Sequence, residues 1–317
     1  MRQYIIKRLL IAIPVLIAVS ILISALIRLV PGDVVVTLIQ ETGNLSAEDL
    51  AKVRHTLGLD RPFFVQYGTW VAGWFRGDLG DSLWNGRPVV SQMAQRIPVT
   101  VELALLAMLI ATIIAIPVGI ISAVRQDTPA DYIARLFSLS GLSIPDFVLG
   151  TVLVVFVGIW FRWVPPISYS SFTENPIANL KQMMFPAFIL GFRFSATSMR
   201  MMRSSMLEVL REDYVRTAWA KGLRERAVIF RHTLRNAFIP VITIMGTQLG
   251  YLFGGAVIVE TIFNLPGLGS LTVDSITQRD YLQLQGNIMF FATVIVLMNL
   301  LVDISYAWFD PRIRYGK

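Results

Sequence analysis

Apolar residues run almost unbroken over residues 9–30, and further runs follow at roughly 99–124, 133–163, 183–201, 237–259 and 287–309. Each approaches the ~20 residues that a helix needs to cross a hydrocarbon core ~30 Å thick. The pattern predicts an all-α integral membrane protein of about six transmembrane helices, with both termini on one side. The fourth run is the weakest, because Arg193 interrupts it and Ser195, Thr197 and Ser198 dilute it. Residues 31–98 instead mix charged, aromatic and turn-forming residues, with turn signals at Pro31-Gly32, Gly77-Asp78 and Asn85-Gly86. They read as an external insertion folded into a small cap, in which Ser46 opens a short helix running to Leu57 and stopped by Gly58. The chain thus divides into a first transmembrane helix (1–30), the insertion (31–98) and a membrane core (99–317).

Composition supports this reading. Of the 317 residues, 55% are hydrophobic and 15% are charged, against about a quarter charged in a soluble domain. A net charge of +7 would also suit a nucleic-acid partner, but the basic residues gather between spans. Seventeen Lys and Arg lie on the side of the termini and nine on the other, which places both termini in the cytoplasm and argues against nucleic-acid binding. The absence of cysteine excludes disulfides, thiolate metal sites and cysteine nucleophiles. His55 and His232, the two histidines, lie far apart. Arg2, Lys7 and Arg8 before the first apolar run look like a secretory signal, with Ala18-Val19-Ser20 as a passable cleavage site. The run continues to Val30, long enough to span, so it reads as an uncleaved helix.

The segment 200–236 is both basic and patterned like a helix. Met206, Leu207, Leu210, Tyr214, Ala218 and Trp219 recur at spacings of three and four, predicting one apolar stripe on a helix outside the bilayer. Gly222 interrupts the pattern, a second basic helix can follow from Glu225, and Pro240 falls inside the start of the fifth span. Such a stripe suits either anionic membrane lipid or a docking partner.

The stretch RSSMLEVLREDYVRTAWAKG (203–222), followed by RHTLRNAFIP (231–240), resembles the coupling loop of peptide-type ABC importer permeases. VPGD (30–33), LGLD (57–60), GDLG (77–80), ETIF (260–263), PGLG (266–269) and DPRIR (310–314) extend the likeness over nearly the whole chain. It is nearest to the first of the two permeases in dipeptide and oligopeptide systems, a group with glutathione and nickel relatives. Two departures stand out: Trp219 replaces a usual basic residue, and Arg235 replaces the proline of the general importer motif, as is usual in the peptide branch.

The resemblance implies the type I ABC importer permease fold in a cell inner membrane. It implies a homologous second permease, two ABC ATPase subunits and a periplasmic or lipid-anchored solute-binding protein as partners. Glu212, Asp213, Tyr214, Arg216, Thr217, Ala218, Lys221, Gly222 and Leu223 would engage the ATPase. ATP and magnesium would be bound there, with no cofactor in this chain, which also lacks a phosphate-cradling Gly-x-x-x-x-Gly-Lys-Ser/Thr loop. Glu260, Phe263, Pro266, Gly267 and Gly269 would form a scoop meeting the delivered substrate.

Among charges near the spans, Arg28 snorkels outward, Asp303 suits a structural pair, and Arg193 either attracts a peptide carboxylate or holds a neighbouring helix. Pro117, Pro145 and Pro186, with Gly119, Gly141 and Gly150, would bend spans and let helices approach. Nickel or glutathione import is the alternative within the same architecture. An ion-coupled secondary transporter should show inverted halves or proton-relay acids, and a membrane enzyme should show a nucleophile, paired acids or a metal site. The sequence presents none of these patterns.

Overall fold

The computed structural model describes residues 2–29, 60–166 and 168–309, with side chains placed for 6–25 and for 60–304 apart from 167. The expected helix at 46–57, the motifs at 30–33 and 310–314, His55 and the Arg28 side chain lie outside the described residues. In chain order the helices are α1 (Arg2–Leu29), α2 (Phe63–Arg76), α3 (Val89–Val124), α4 (Pro129–Ser143), α5 (Asp146–Phe161), α6 (Pro176–Leu210), α7 (Asp213–Ala220), α8 (Glu225–Ile262), α9 (Leu268–Thr277) and α10 (Tyr281–Phe309). Helix α8 widens into a π-helical stretch at Val228–Thr233, where Thr233 Oγ1 donates to the Val228 carbonyl at 3.1 Å. No β-strand occurs among the described residues, only an isolated bridge between Asp81 and Pro88.

Helices α1, α3, α8 and α10 have both the length and the apolarity of membrane spans. The third span, expected as one helix over 133–163, is instead two helices bent by 103° at the Ser143–Asp146 break. The cause is local: a proline disfavours helical ψ in the residue before it, and Ile144 and Pro145 sit at ψ 119° and 143°. Each arm is only about 22–24 Å long at the helical rise, short of the core thickness. Helix α6 has the length of a span, about 52 Å, but is too polar to qualify by composition.

The pairing of α3 with α6 is the most extensive in the fold. It explains how so polar a helix is kept inside. Ala104, Ala107, Ala111 and Ala115 of α3 are fully buried, and their three- and four-residue spacing makes a strip of small side chains facing one way. Backbones approach closely along it: a Cβ on Gly191 would stand 2.7 Å from the Ala107 carbonyl, and one on Gly119 2.7 Å from Met202 Cβ. Small residues permit this contact where no hydrophobic force drives helices together. Ser198 donates to Gln248 Oε1 at 2.8 Å, joining α6 to α8 without leaving its hydroxyl unpaired. Gly141 likewise brings α4 against Ala196 of α6, whereas Gly150 meets only ordinary contacts. Pro117 and Pro186 lie inside continuous helices. At the other edge, Arg8 of α1 pairs with Asp303 of α10 at 2.9 Å.

Candidate functional site

At one end of the bundle α6 stops at Leu210 and α7 begins at Asp213. The predicted stripe is therefore split between two helices rather than continuous. Met206 and Ala218 are buried, while Tyr214 and Trp219 are 42% and 46% exposed. The foot of α7 is made by Val215 and Ala218 packed on Val228, with Val209 and Leu210 alongside. Val215 was not part of the stripe; its position three residues before Ala218 is the signal that marks it.

The far end of α7 is a Schellman turn. Leu223 N–H donates to the Ala218 carbonyl at 3.4 Å and Gly222 N–H to the Trp219 carbonyl at 2.9 Å, the paired bonds by which a helix closes its last carbonyls. Gly222 has φ +74°, and a Cβ there would meet open space. Its glycine answers to backbone conformation, not to crowding. The closure presents Glu212, Asp213, Tyr214, Arg216, Thr217, Lys221, Gly222 and Leu223 on the surface, all exposed. Asn236 of α8 donates to Tyr214 Oη at 2.7 Å, and Arg216 lies 3.5 Å from Asp213. The surface is thus a short helix fastened below and open above.

Below it stands an ionic tie. The carboxylate of Asp131 has no exposed surface and accepts from Arg203 Nε and Nη2 at 2.8 and 2.9 Å, Arg135 Nη2 at 2.5 Å, Ser122 Oγ at 2.5 Å and the Asp127 N–H at 3.0 Å. This joins the lower part of α6 to the turn between α3 and α4.

At the opposite end, Glu260 is fully buried. It accepts from Thr100 Oγ1 of α3 at 2.6 Å and from Ser270 N–H at 3.0 Å. Thr100 Oγ1 in turn accepts from Leu268 N–H at 2.8 Å. One carboxylate and one hydroxyl therefore pin the turn between α8 and α9 to α3. Gly267 leaves room for that carboxylate, from which a Cβ would stand 2.2 Å, and Gly269 leaves room chiefly for the α8 backbone, its Cβ standing 2.5 Å from Val257 Cα. Gly267 has φ −95°, so its requirement is space. Phe263, Gly267 and Gly269 are buried and Pro266 is partly so. These residues build the inside of the turn, while Thr261 and Asn264 face outward. Thr100 was missed by the sequence reading, although a lone hydroxyl at the start of an apolar run is the kind of signal that finds it. Gly269→Ala is expected to lower stability by about 1–2 kcal/mol, because backbone and not a movable side chain blocks the new methyl; thermal melting in detergent measures it.

Arg193, near the middle of α6, pairs with Asp146 at the first position of α5, Nη1 to Oδ2 at 2.7 Å. The Arg193 side chain is 53% exposed and that of Asp146 7%. The pair ties α6 to α5 beside the break before it.

The family model described as binding-protein-dependent transport system inner membrane component matches residues 115–315, and the N-terminal model of the same components matches 1–104. A dipeptide transport system permease protein of Escherichia coli strain K12 is 39% identical over 340 residues, with all of both chains covered. A probable peptide ABC transporter permease protein of Sinorhizobium fredii is 38% identical over 99% of this chain and 100% of its own. A crystallised amino acid ABC transporter chain superposes with TM-score 0.53 at 13% identity, covering 70% of this chain and 94% of that one, which supports the fold.

Proposed function

Since the chain belongs to the binding-protein-dependent transport system inner membrane components, we propose that it forms half of an import pathway for di- or oligopeptides and lets a separate ATPase drive it. The observation that carries this is α7: a short helix stiffened at its foot by Val215, Ala218 and Val228, closed by a Schellman turn, and exposing eight polar or glycine-turn positions to a partner. A loop that only joins two spans has no use for that construction. Its relatives are named for peptides and dipeptides, which favours peptide over nickel or glutathione.

The termini and α7 then face the cytoplasm, and the chain itself carries no catalytic step. Its partners are a second, homologous permease, two ATPase subunits that hold ATP and magnesium, and a solute-binding protein outside the membrane. Closure of the ATPases displaces α7. Helix α6, continuous from Leu210 to Pro176, carries the displacement inward, and the Asp131 tie passes it to α3 and α4. Only contacts that differ between open and closed ATPase can shift such an equilibrium. The turn pinned by Glu260 and the Arg193–Asp146 pair stand along this route; Arg193, half exposed at mid-span, faces the pathway rather than lipid, where a charge is costly.

Affinity purification of the intact chain in mild detergent, after cross-linking in the membrane, tests the reading. Recovery of a second permease with ATPase subunits is expected; recovery of the chain alone would refute it.

A further inference from the structure

At the end of the bundle that holds the Glu260 turn, three polar side chains meet outside every interaction described above. Glu102 lies on α3, Asn179 in the first turn of α6, and Tyr169 on the loop between α5 and α6. The Tyr169 hydroxyl donates to Glu102 Oε2 at 3.0 Å and accepts from Asn179 Nδ2 at 3.2 Å. Ser168 and Ser170, beside Tyr169, are bonded to α6. Ser170 N–H donates to Gln182 Oε1 at 3.1 Å, Gln182 Nε2 donates to the Ser168 carbonyl at 2.9 Å, and Asn179 Nδ2 to the Ser170 carbonyl at 3.1 Å.

Asn179 is fully buried, yet its Oδ1 has no hydrogen-bond partner among the described residues. The same holds for Glu102 Oε1. Buried polar atoms are nearly always paired, because an unpaired acceptor keeps the cost of losing its water. Both free atoms are acceptors, both belong to groups bonded to a single phenolic oxygen, and one carries negative charge. Glu102 and Glu174 both place negative charge near Tyr169. Burial and then Glu102 push the phenol up from its ordinary value, so it stays a neutral donor.

We propose that Glu102, Tyr169 and Asn179 form a binding site for a primary ammonium group, the α-amino group of a peptide entering the pathway. A primary ammonium brings one positive charge and three compact N–H donors. A guanidinium fits less well, because its planar fork prefers both oxygens of a carboxylate and Glu102 has already given one to Tyr169. The identity of the amine bearer rests on the peptide-importer reading; the preference for an ammonium does not.

The test uses the purified complex of both permeases with the ATPases, without the solute-binding protein, and follows thermal melting against dialanine and N-acetyl-dialanine. Dialanine is expected to raise the melting temperature and the acetylated peptide to leave it unchanged. Glu102→Gln, which keeps the shape and removes the charge, is expected to weaken the dialanine titration by about tenfold or more, the scale of a lost charged hydrogen bond. Tyr169→Phe serves as a second variant, expected to weaken it less, and unliganded melting temperatures report whether either variant is folded. Equal shifts from the two peptides, or an unchanged titration in Glu102→Gln, overturn the site. So does the absence of any shift in a complex that imports dialanine once its receptor is added. A complex that imports no dialanine in proteoliposomes counts against the peptide reading instead. Ethylamine then becomes the probe, and no shift with ethylamine overturns the ammonium site by itself.

Discussion

Ala218→Asp and Gly222→Glu are each expected to cut peptide uptake by the reconstituted complex more than about tenfold, a loss worth ~1.4 kcal/mol of coupling, while ATP hydrolysis continues. The two variants reach that result by different physics. Ala218 is 5% exposed and sits against Val215 and Val228, so an aspartate there places a carboxylate in an apolar contact with no partner and lifts α7 off its foot. Gly222 is at φ +74° with open space around its missing Cβ, so any side chain fits but strains the backbone by about 1–2 kcal/mol. Glutamate also adds a negative charge to the presented surface. Gly222→Ala separates these causes, since it carries the strain alone and should give an intermediate loss. Membrane insertion should be unaffected, because neither residue lies in an apolar span. Normal uptake by both charged variants would show that α7 does not transmit force.

The second large effect concerns stability. Removing the carboxylate in Asp131→Ala takes the acceptor away from five donors on three helices and the turn between α3 and α4. A fully buried pair broken on one side costs about 3–5 kcal/mol. Arg203 and Arg135 keep 20% and 39% of their side-chain surface exposed, so solvent reclaims part of that and a loss of about 2–3 kcal/mol is expected. Thermal melting in detergent reads it. Adding Arg203→Leu should recover part of the loss by removing one stranded guanidinium, and this recovery distinguishes an ion pair from general damage to packing. An unchanged melting temperature in Asp131→Ala would mean that the tie bears no strain in the assembled membrane protein.

The class of the protein was legible in the chain because its signal is local and cumulative. Long apolar runs need only be counted, and the resemblance over 203–240 needs only residue order. Gly222 was legible as a helix stop because a left-handed turn strongly favours glycine wherever it occurs. What depends on a neighbour was not legible. A sequence pattern assigns Gly267 and Gly269 to a loop, but only the fold shows that Glu260 fills the space below them. Arg193 reads as a flaw in an apolar run until Asp146, 47 residues earlier, is placed beside it. Pro145 marks a bend in the third span, but neither hydropathy nor a proline sets its size, and the 103° between the two arms is an angle that packing must hold.

Residue order alone thus specifies a multi-pass helical protein with a patterned segment between its fourth and fifth apolar runs. These are one-dimensional properties of apolar length, helical period and glycine placement. The folded chain adds that the stripe is divided between α6 and α7, that Glu260 supports a turn from within, and that Glu102, Tyr169 and Asn179 share one place. The last two depend on polar groups distant in the chain meeting where water is excluded, and no local pattern encodes that pairing.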